Sequence, residues 1–372
     1  MKVLVVLAQP PLPEGEAPAR CAVGLIRGLK ANGVEVRTLA AKQDYALPGS
    51  PPGDLDVEVV DVIPQDGGWL SLRPLRRPRG ELAAPAFKAR LAALAADVDV
   101  VHLEETQTAC AARDVRKPSV VHLHYLVRRD RTFGVPWRRQ FRDVLEFQLA
   151  ERGAVGRHRF LAASSPLVAD AVRRAAPHAE VTLAPLTLDP LYYEPAPLDE
   201  PPRAGLIGTA AWTPTAAAVE RLVERVWPLV RRELPDAQLR IAGRGMRELH
   251  LHGPGIGVLG EVPSAAEFLR SLSVLLYPLE RGSGVKVKVL ESIASGLPVV
   301  TTPAGAEGID GGDGVLIEDS DVALAHAAAA ILRDEEDRRR RGAAALQAFG
   351  ERYTPEVATR PLVALYERMA RR

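Results

Sequence analysis

Residues 281–309 read RGSGVKVKVLESIASGLPVVTTPAGAEGI, and their punctuation decides the fold. Just ahead, residues 273–277 (SVLLY) form an apolar run of strand length. A glycine-bracketed turn follows, carrying Arg281, Gly282, Gly284 and Lys286. The spacing predicts a helix from near Val285. Val289, Leu290, Ile293 and Ala294 recur at helical intervals, while Lys288, Glu291 and Ser295 fall at i, i+3 and i+7 on another face. Gly296 is a helix stop, Pro298 cannot continue the helix, and residues 299–302 (VVTT) read as the next strand, running into a second glycine loop at 304–308. Strand, turn, helix and strand in so short a span are the unit of a parallel α/β sheet.

The same grammar extends outward in both directions. Towards the N-terminus, strands are expected at 2–8, 34–39, 56–62, 98–103, 119–123, 157–162 and 181–186, with helices at 19–32, 85–96 and 166–175. The first loop, 9–18, is proline-rich with Gly15 as its one glycine. Residues 187–203 carry Pro190, Pro195, Pro197, Pro201 and Pro202 without periodicity, which marks a linker. Beyond it, strands are expected at 204–208, 238–242, 257–259 and 316–318, and helices at 216–233 and 321–334. A helical tail over 338–372 should break at Pro355. The 372 residues suffice for two domains of ordinary size.

Composition narrows the function classes. A formal net charge of +1 disfavours bulk electrostatic binding of nucleic acid. Cys21 and Cys110 are the only cysteines, so neither a disulfide framework nor a cysteine metal cluster is expected, and a reducing cytoplasm fits. The apolar N-terminus meets Gln9-Pro10-Pro11 before an export signal could be completed and is expected to be a strand; no apolar run reaches membrane-spanning length. Two arginine-rich runs, 73–79 and 128–142, are either solvated faces or, for the second, a contact for an anionic acceptor or lipid headgroups.

A strand, a small-residue turn and a helix N-terminus direct free backbone N–H groups and the positive end of the helix dipole at one spot, which suits phosphate. A carboxylate within that helix offers only acceptors, matching the donors of a ribose diol. By spacing alone, Glu291 fits that role or an ordinary surface pair with Lys288. Asp97 and Asp99 have the spacing of a metal-binding pair, but they lie at the start of a strand and are expected to form a turn; no metal is expected. Gly253, Gly255 and Gly257 lack the strand before and helix after that a dinucleotide loop requires.

The run G-x-K-x-K-V-L-E-S-I-A-S-G-L-P-V-V-T-T-x-x-G-A-E-G resembles the donor-site signature of GT-B glycosyltransferases of family 4, the retaining enzymes that use nucleotide sugars. The resemblance implies an α/β GT-B fold of two Rossmann-like parallel-sheet domains facing across a cleft. Residues 1–190 would form the acceptor domain, 191–203 the linker, 204–352 the nucleotide-sugar domain and 353–372 a helix returning to the first. It implies that Glu291 holds the ribose hydroxyls and that the loop of Gly305, Ala306, Glu307 and Gly308 offers backbone N–H groups to the hexose or diphosphate. Gly260 and Val262 would pair with the base. His124, matching its position after Pro118 better than His122 does, would lie beside the transferred sugar; His102 and Glu104 would face the same cleft or be loop polars.

Many members carry an Arg and a Lys after the first strand of the second domain, and a Glu at the position of Ser283. Here Gly208 is followed by Thr209-Ala210-Ala211-Trp212-Thr213-Pro214-Thr215, without either base. The pattern is similar to a subgroup with G-x-(K/R)-x-K-x-L-E before the helix. Charge on the departing diphosphate then falls to Lys286, supported by Lys288, Arg281 and the backbone of Gly282 to Gly284, with Arg244 as a second contact. The expected activity is hexose transfer from a UDP-hexose, or GDP-mannose second, to a hydroxyl acceptor, without metal or other cofactor, in the cytoplasm or peripherally at the membrane through 128–142. The alternatives are a non-catalytic nucleotide-sugar-binding subunit and a GT-B phosphorylase or epimerase.

Overall fold

A computed structural model describes residues 1–43, 47–62, 84–131, 139–195 and 202–371, and of residues 139 and 140 the backbone only. The arginine run at 73–79, Phe133 and Trp137 of the second run, and part of the expected linker lie outside the described residues. The chain divides into two compact units: Met1–Asp189 together with Pro355–Arg372, and Pro190–Thr354.

In the first unit, β1 (Lys2–Leu7), α1 (Ala17–Ala31), β2 (Glu35–Lys42), β3 (Val57–Asp61), α2 (Pro85–Ala95), β4 (Val100–Glu104), α3 (Glu105–Ala111), β5 (Ser119–Leu123), α4 (Val127–Asp130), α5 (Arg139–Arg157), β6 (Phe160–Ala163), α6 (Pro166–Ala175) and β7 (Glu180–Leu183) follow in order. The strands form one parallel sheet ordered β3-β2-β1-β4-β5-β6-β7. Val3 to Val6 are fully buried, as a central strand covered on both faces requires. The chain reverses its direction of growth between β1 and β4, and a parallel sheet presents its ligand crevice at the carboxyl ends of strands beside such a switch. Glu104 ends β4 there, and His124 follows β5.

In this unit the structure adds three helices that the spacing did not predict, α3, α4 and α5. The apolar positions of α5 (Val144, Phe147, Ala150, Ala154 and Val155) are buried, but Glu151 interrupts them and is buried as well, accepting from the Val127 N–H at 2.6 Å. A buried carboxylate on the core face hides the helical period from sequence. Strand β7 is shorter than the expected 181–186, and its Leu183 is 40% exposed at the sheet edge.

The C-terminal segment completes this unit. Helix α13 (Pro355–Ala370) lies against α1, where a Cβ on Gly28 would stand 2.1 Å from the Pro355 carbonyl oxygen, so only glycine admits the approach. Asn32 ties the pair, donating to the Glu356 carbonyl at 2.8 Å and the Thr359 hydroxyl at 3.0 Å.

The second unit contains β8 (Arg203–Ile207), α7 (Thr213–Arg221), a π-helical turn (Leu222–Val226), α8 (Trp227–Glu233), β9 (Gln238–Ala242), β10 (Ile256–Gly260), α9 (Ala265–Arg270), β11 (Val274–Tyr277), α10 (Val287–Ala294), β12 (Val299–Thr301), β13 (Val315–Ile317), α11 (Asp321–Arg333) and α12 (Glu335–Arg352). Its parallel sheet is ordered β10-β9-β8-β11-β12-β13. The single helix expected at 216–233 is three segments. Pro228 lacks an N–H, and the ladder widens just before it, with the Trp227 N–H reaching the Leu222 carbonyl.

Candidate active site

In the second unit the loops leaving the strands' carboxyl ends are laced together. The Gly208 N–H donates to Ala242 at 3.0 Å, the Ala210 N–H to the Arg244 carbonyl at 2.9 Å, and the Gly243 N–H to the Gly260 carbonyl at 2.6 Å. Gly243 has φ +123, and a Cβ there would come within 1.8 Å of the Gly208 oxygen; the approach of the β8 and β9 loops requires glycine. Gly208, Arg244 and Gly260 are thereby brought to one rim. Val262 lies two residues beyond Gly260 and is half-buried; Arg281 and Arg244 are exposed. Arg244 reaches Glu261 at 3.5 Å.

Helix α10 starts two residues later than the spacing predicts, with Lys286 at its N-cap position. The Lys286 amine turns back to the carbonyls of Ser283, at 3.2 Å, and Gly284, at 2.5 Å, bracing the loop of Gly282 and Gly284. Lys288 points elsewhere. Its Nζ donates to the Thr215 hydroxyl at 3.2 Å, stands 4.4 Å over the Tyr277 ring, and would lie 3.0 Å from a Cβ on Gly208. A cation is therefore delivered from α10 to the loop after β8, the loop whose own sequence carries none.

Glu291 is 1% exposed, which removes the surface-pair alternative, and accepts from the Tyr193 hydroxyl at 3.0 Å. In the β12 loop the N–H groups of Gly305 and Ala306 donate to the Thr302 carbonyl, each at 2.9 Å, closing a turn at the start of the stretch expected to offer backbone N–H groups. That turn leaves Glu307 half-buried next to it.

In the first unit, Glu104 gathers three imidazoles. Its Oε1 lies 2.6 Å from His102 Nε2 and 3.2 Å from His122 Nδ1, and its Oε2 accepts from His124 Nε2. His102 Nδ1 in turn meets the Tyr366 hydroxyl of α13 at 2.6 Å, and His122 Nε2 meets the Ala184 carbonyl at 3.1 Å. Burial raises the Glu104 pKa, but the charges of His124 and His122 and the hydrogen bonds of His102 and His122 outweigh it and hold the carboxyl well below its ordinary value. Burial lowers the His124 pKa, and the Glu104 carboxylate more than reverses that, leaving it raised. Burial and the neighbouring His124 charge bring His122 down to about 4.

Among the described residues, His102, Glu104 and His122 form the one group of three whose ligand-type atoms lie within 4.8 Å of one another. At 2.6 Å, the His102 nitrogen and Glu104 oxygen are closer than two ligands of a tetrahedral ion with bonds of about 2.0 Å. The donor set fits a hydrogen-bonded network better than a metal cradle. His124 also lines a small pocket with Glu105, Thr106, Leu123, Tyr125 and Val127. Arg128 and Arg129 on α4 are exposed nearby in the chain.

Three residues at these sites escaped the sequence: Tyr193 sat in a segment without periodicity, Tyr366 in an amphipathic tail, and Thr215 in a stretch noted for the basic residues it lacked. No local signal marks any of them, because each acts on a partner remote in sequence. Among the described residues, no helix is long and apolar enough to cross a membrane.

The fold aligns along nearly its whole length with solved structures of low sequence identity. A sucrose-phosphate synthase from Thermosynechococcus elongatus superposes with a TM-score of 0.71 at 16% identity, covering 99% of both chains. The HepE protein of Anabaena, in complex with UDP and glucose, gives 0.64 at 14% identity, covering 98% of this chain and 99% of that one. A TarM mutant of S. aureus, in complex with fondaparinux, alpha-GlcNAc-glycerol and UDP, gives 0.69 at 9% identity, covering 98% and 99%. No curated protein matches the chain in sequence. Residues 16–187 match the glycosyl transferase 4-like domain and residues 201–334 the model of glycosyl transferases group 1. With both halves matched in order on two parallel-sheet units, the chain belongs to the group 1 glycosyl transferases and is a GT4-type glycosyltransferase of the GT-B fold.

Proposed function

We propose that the chain transfers a hexose from a nucleotide diphosphate sugar, a UDP-hexose first and GDP-mannose second, to a hydroxyl acceptor with retention at the anomeric carbon. The observation that carries this reading is Glu291, buried at the head of the donor stretch with one oxygen already aimed by Tyr193. A carboxylate so held is an acceptor for the ribose diol. The UDP complexes of HepE and TarM support a uridine nucleotide as the first choice.

In this reading Lys288, standing against the β8 loop, balances the diphosphate, and Lys286 stiffens the glycine turn and joins it when the amine swings from its own carbonyls. The anomeric C–O bond to the diphosphate breaks as the acceptor oxygen bonds the same face, and the acceptor proton passes to the departing phosphate oxygen. His124 offers a ring nitrogen to a hydroxyl of the transferred sugar. The exposed Arg128 and Arg129 are the described part of a surface suited to an anionic acceptor or headgroup.

The absence of Arg and Lys from residues 209–215 favours one second reading, a nucleotide-sugar-binding subunit without turnover. Thermal shift with UDP, GDP, ADP and dTDP on wild type and Glu291→Ala tests the donor site. A nucleotide at ~100 times its Kd stabilises the fold by about 2.7 kcal/mol, and Glu291→Ala is expected to abolish the shift. If no nucleotide shifts the wild type, the donor reading fails. If UDP shifts it but a UDP-hexose is never consumed, the binding-subunit reading takes its place.

A further inference from the structure

We propose that Glu104 is the positioning residue of His124, fixing the imidazole through Nε2 so that Nδ1 is the ring atom presented to a hydroxyl of the transferred sugar. The assignment rests on the transferase reading for its substrate and on geometry for everything else.

The proton directions follow from one carboxylate. Glu104 offers only acceptors, so His102 Nε2 donates to its Oε1 at 2.6 Å. The Tyr366 hydroxyl, whose pKa burial and Glu104 raise, keeps its proton and stands 2.6 Å from His102 Nδ1. His124 Nε2 donates to the other oxygen, Oε2. Tyrosine, histidine and carboxylate thus form a chain whose imidazole donors point towards Glu104, and the last ring in it is the one that lines the pocket.

Two further observations bear on what that ring is for. His124 Nδ1 is buried and has no hydrogen-bond partner, an orphaned polar atom in the ring that lines the pocket. Such an atom loses hydration without compensation unless a ligand supplies the missing bond. The residue after Glu104 is strained as well. Glu105 has φ +63, a left-handed backbone rare for a side chain of its size, at the abrupt turn from β4 into α3. The turn halts the strand where the Glu104 carboxylate meets the end of β5.

The alternative, that Glu104 merely neutralises a buried cluster, predicts no effect on the tautomer or the pH profile of His124. Full-length protein labelled with 15N-histidine separates the two. In wild type, the His124 signals are expected to show Nε2 protonated throughout and a titration midpoint above that of a free imidazole. In Glu104→Gln, the midpoint is expected to fall by a unit or more and the two tautomers to mix. An unchanged midpoint and tautomer in Glu104→Gln overturns the proposal whether or not the protein turns over a sugar.

The second arm is UDP release from UDP-glucose with water as acceptor. Glu104→Gln is expected to lower kcat by about tenfold to a hundredfold, shift the acid limb of the profile and leave KM for UDP-glucose unchanged. Tyr366→Phe, which keeps the ring packing, moves both readouts the same way by a smaller factor. Wild-type kcat and pH profile in both variants sinks the proposal. A wild type that binds UDP yet never releases it from UDP-glucose counts against the transfer reading, and the titration then decides the role of Glu104 by itself.

Discussion

Glu104 in the first unit and Glu291 in the second are both carboxylates drawn out of solvent, and different groups hold them. Three imidazoles converge on Glu104, His124 among them with its pKa raised, and together they hold the carboxyl well below its ordinary value. Glu291 accepts a hydrogen bond from the Tyr193 hydroxyl, which directs the carboxylate. A buried charge that is paired belongs to the architecture, since removing it strands its partners. In the proposed reading the first unit uses its carboxylate to place a histidine, and the second offers its carboxylate to the donor.

That contrast breaks or sharpens under substitution. The largest expected effect lies away from either carboxylate. Gly28→Leu drives a side chain into the Pro355 carbonyl and should cost about 3 kcal/mol or more by unseating α13, and with it Tyr366. Hydrogen exchange resolved by peptide should show the loss in Met1–Asp189 and Pro355–Arg372; an equal loss over Pro190–Thr354 would contradict the division into units.

Glu104→Ala is next. Leaving three imidazoles around an empty place should cost about 3 kcal/mol, whereas Glu291→Ala should cost about 1 kcal/mol of stability while removing the UDP response. Equal stability losses in denaturant would erase the contrast between the two carboxylates.

Acid acts on the first unit by a separate route. His122 and His158 are both lowered to about 4, mainly by burial, and are neutral in the fold. Unfolded, they bind protons below about pH 6.5, so stability falls as pH drops from about 6.5 towards 4. For His122 the loss between pH 7 and pH 5 is about 2 kcal/mol, with His158 adding in the same direction. In the second unit Asp321 and Asp337 have lowered pKa values; despite burial, hydrogen bonds from Arg221 and from Arg341 and Arg340 prevail, and their contribution is lost only below the ordinary carboxylate range. Peptide-resolved exchange at pH 7 and pH 5 should therefore show the first unit loosening first.

The smallest effect is the sharpest probe of aim. Tyr193→Phe removes one hydroxyl, should cost about 1 kcal/mol, and should weaken UDP binding by about fivefold. Unaltered UDP affinity in titration calorimetry would mean that Tyr193 packs against Glu291 without orienting it.

Much of this architecture was open to a reader of the sequence. The apolar runs at 2–8 and 273–277, each followed by a turn and a helical period, spell out parallel strands because strand and helix periods are local properties of consecutive side chains. The stretch 281–309 likewise carried its turn, its helix face and Glu291 within a few residues of one another, which is why its resemblance to a donor-site signature was legible. Helix α5 was missed because buried Glu151 breaks its apolar stripe, and the turn in the β12 loop was not legible because a turn's internal hydrogen bonds depend on backbone angles that glycine leaves open.

The partners of the functional side chains had a different origin. Tyr193 meets Glu291 from 98 residues away, and Tyr366 meets His102 from 264. Lys288 reaches Thr215 across 73. Nothing in the local pattern around those residues differs from an ordinary loop tyrosine, a helix tyrosine or a surface lysine. Sequence by itself determined where most of the strands and helices form, and which stretch of this chain resembles a donor-site signature. The order of strands in each sheet, and the return of the last helix onto the first, decided which groups a buried carboxylate meets, because a hydrogen bond is settled by distance in space and only the folded topology sets that distance.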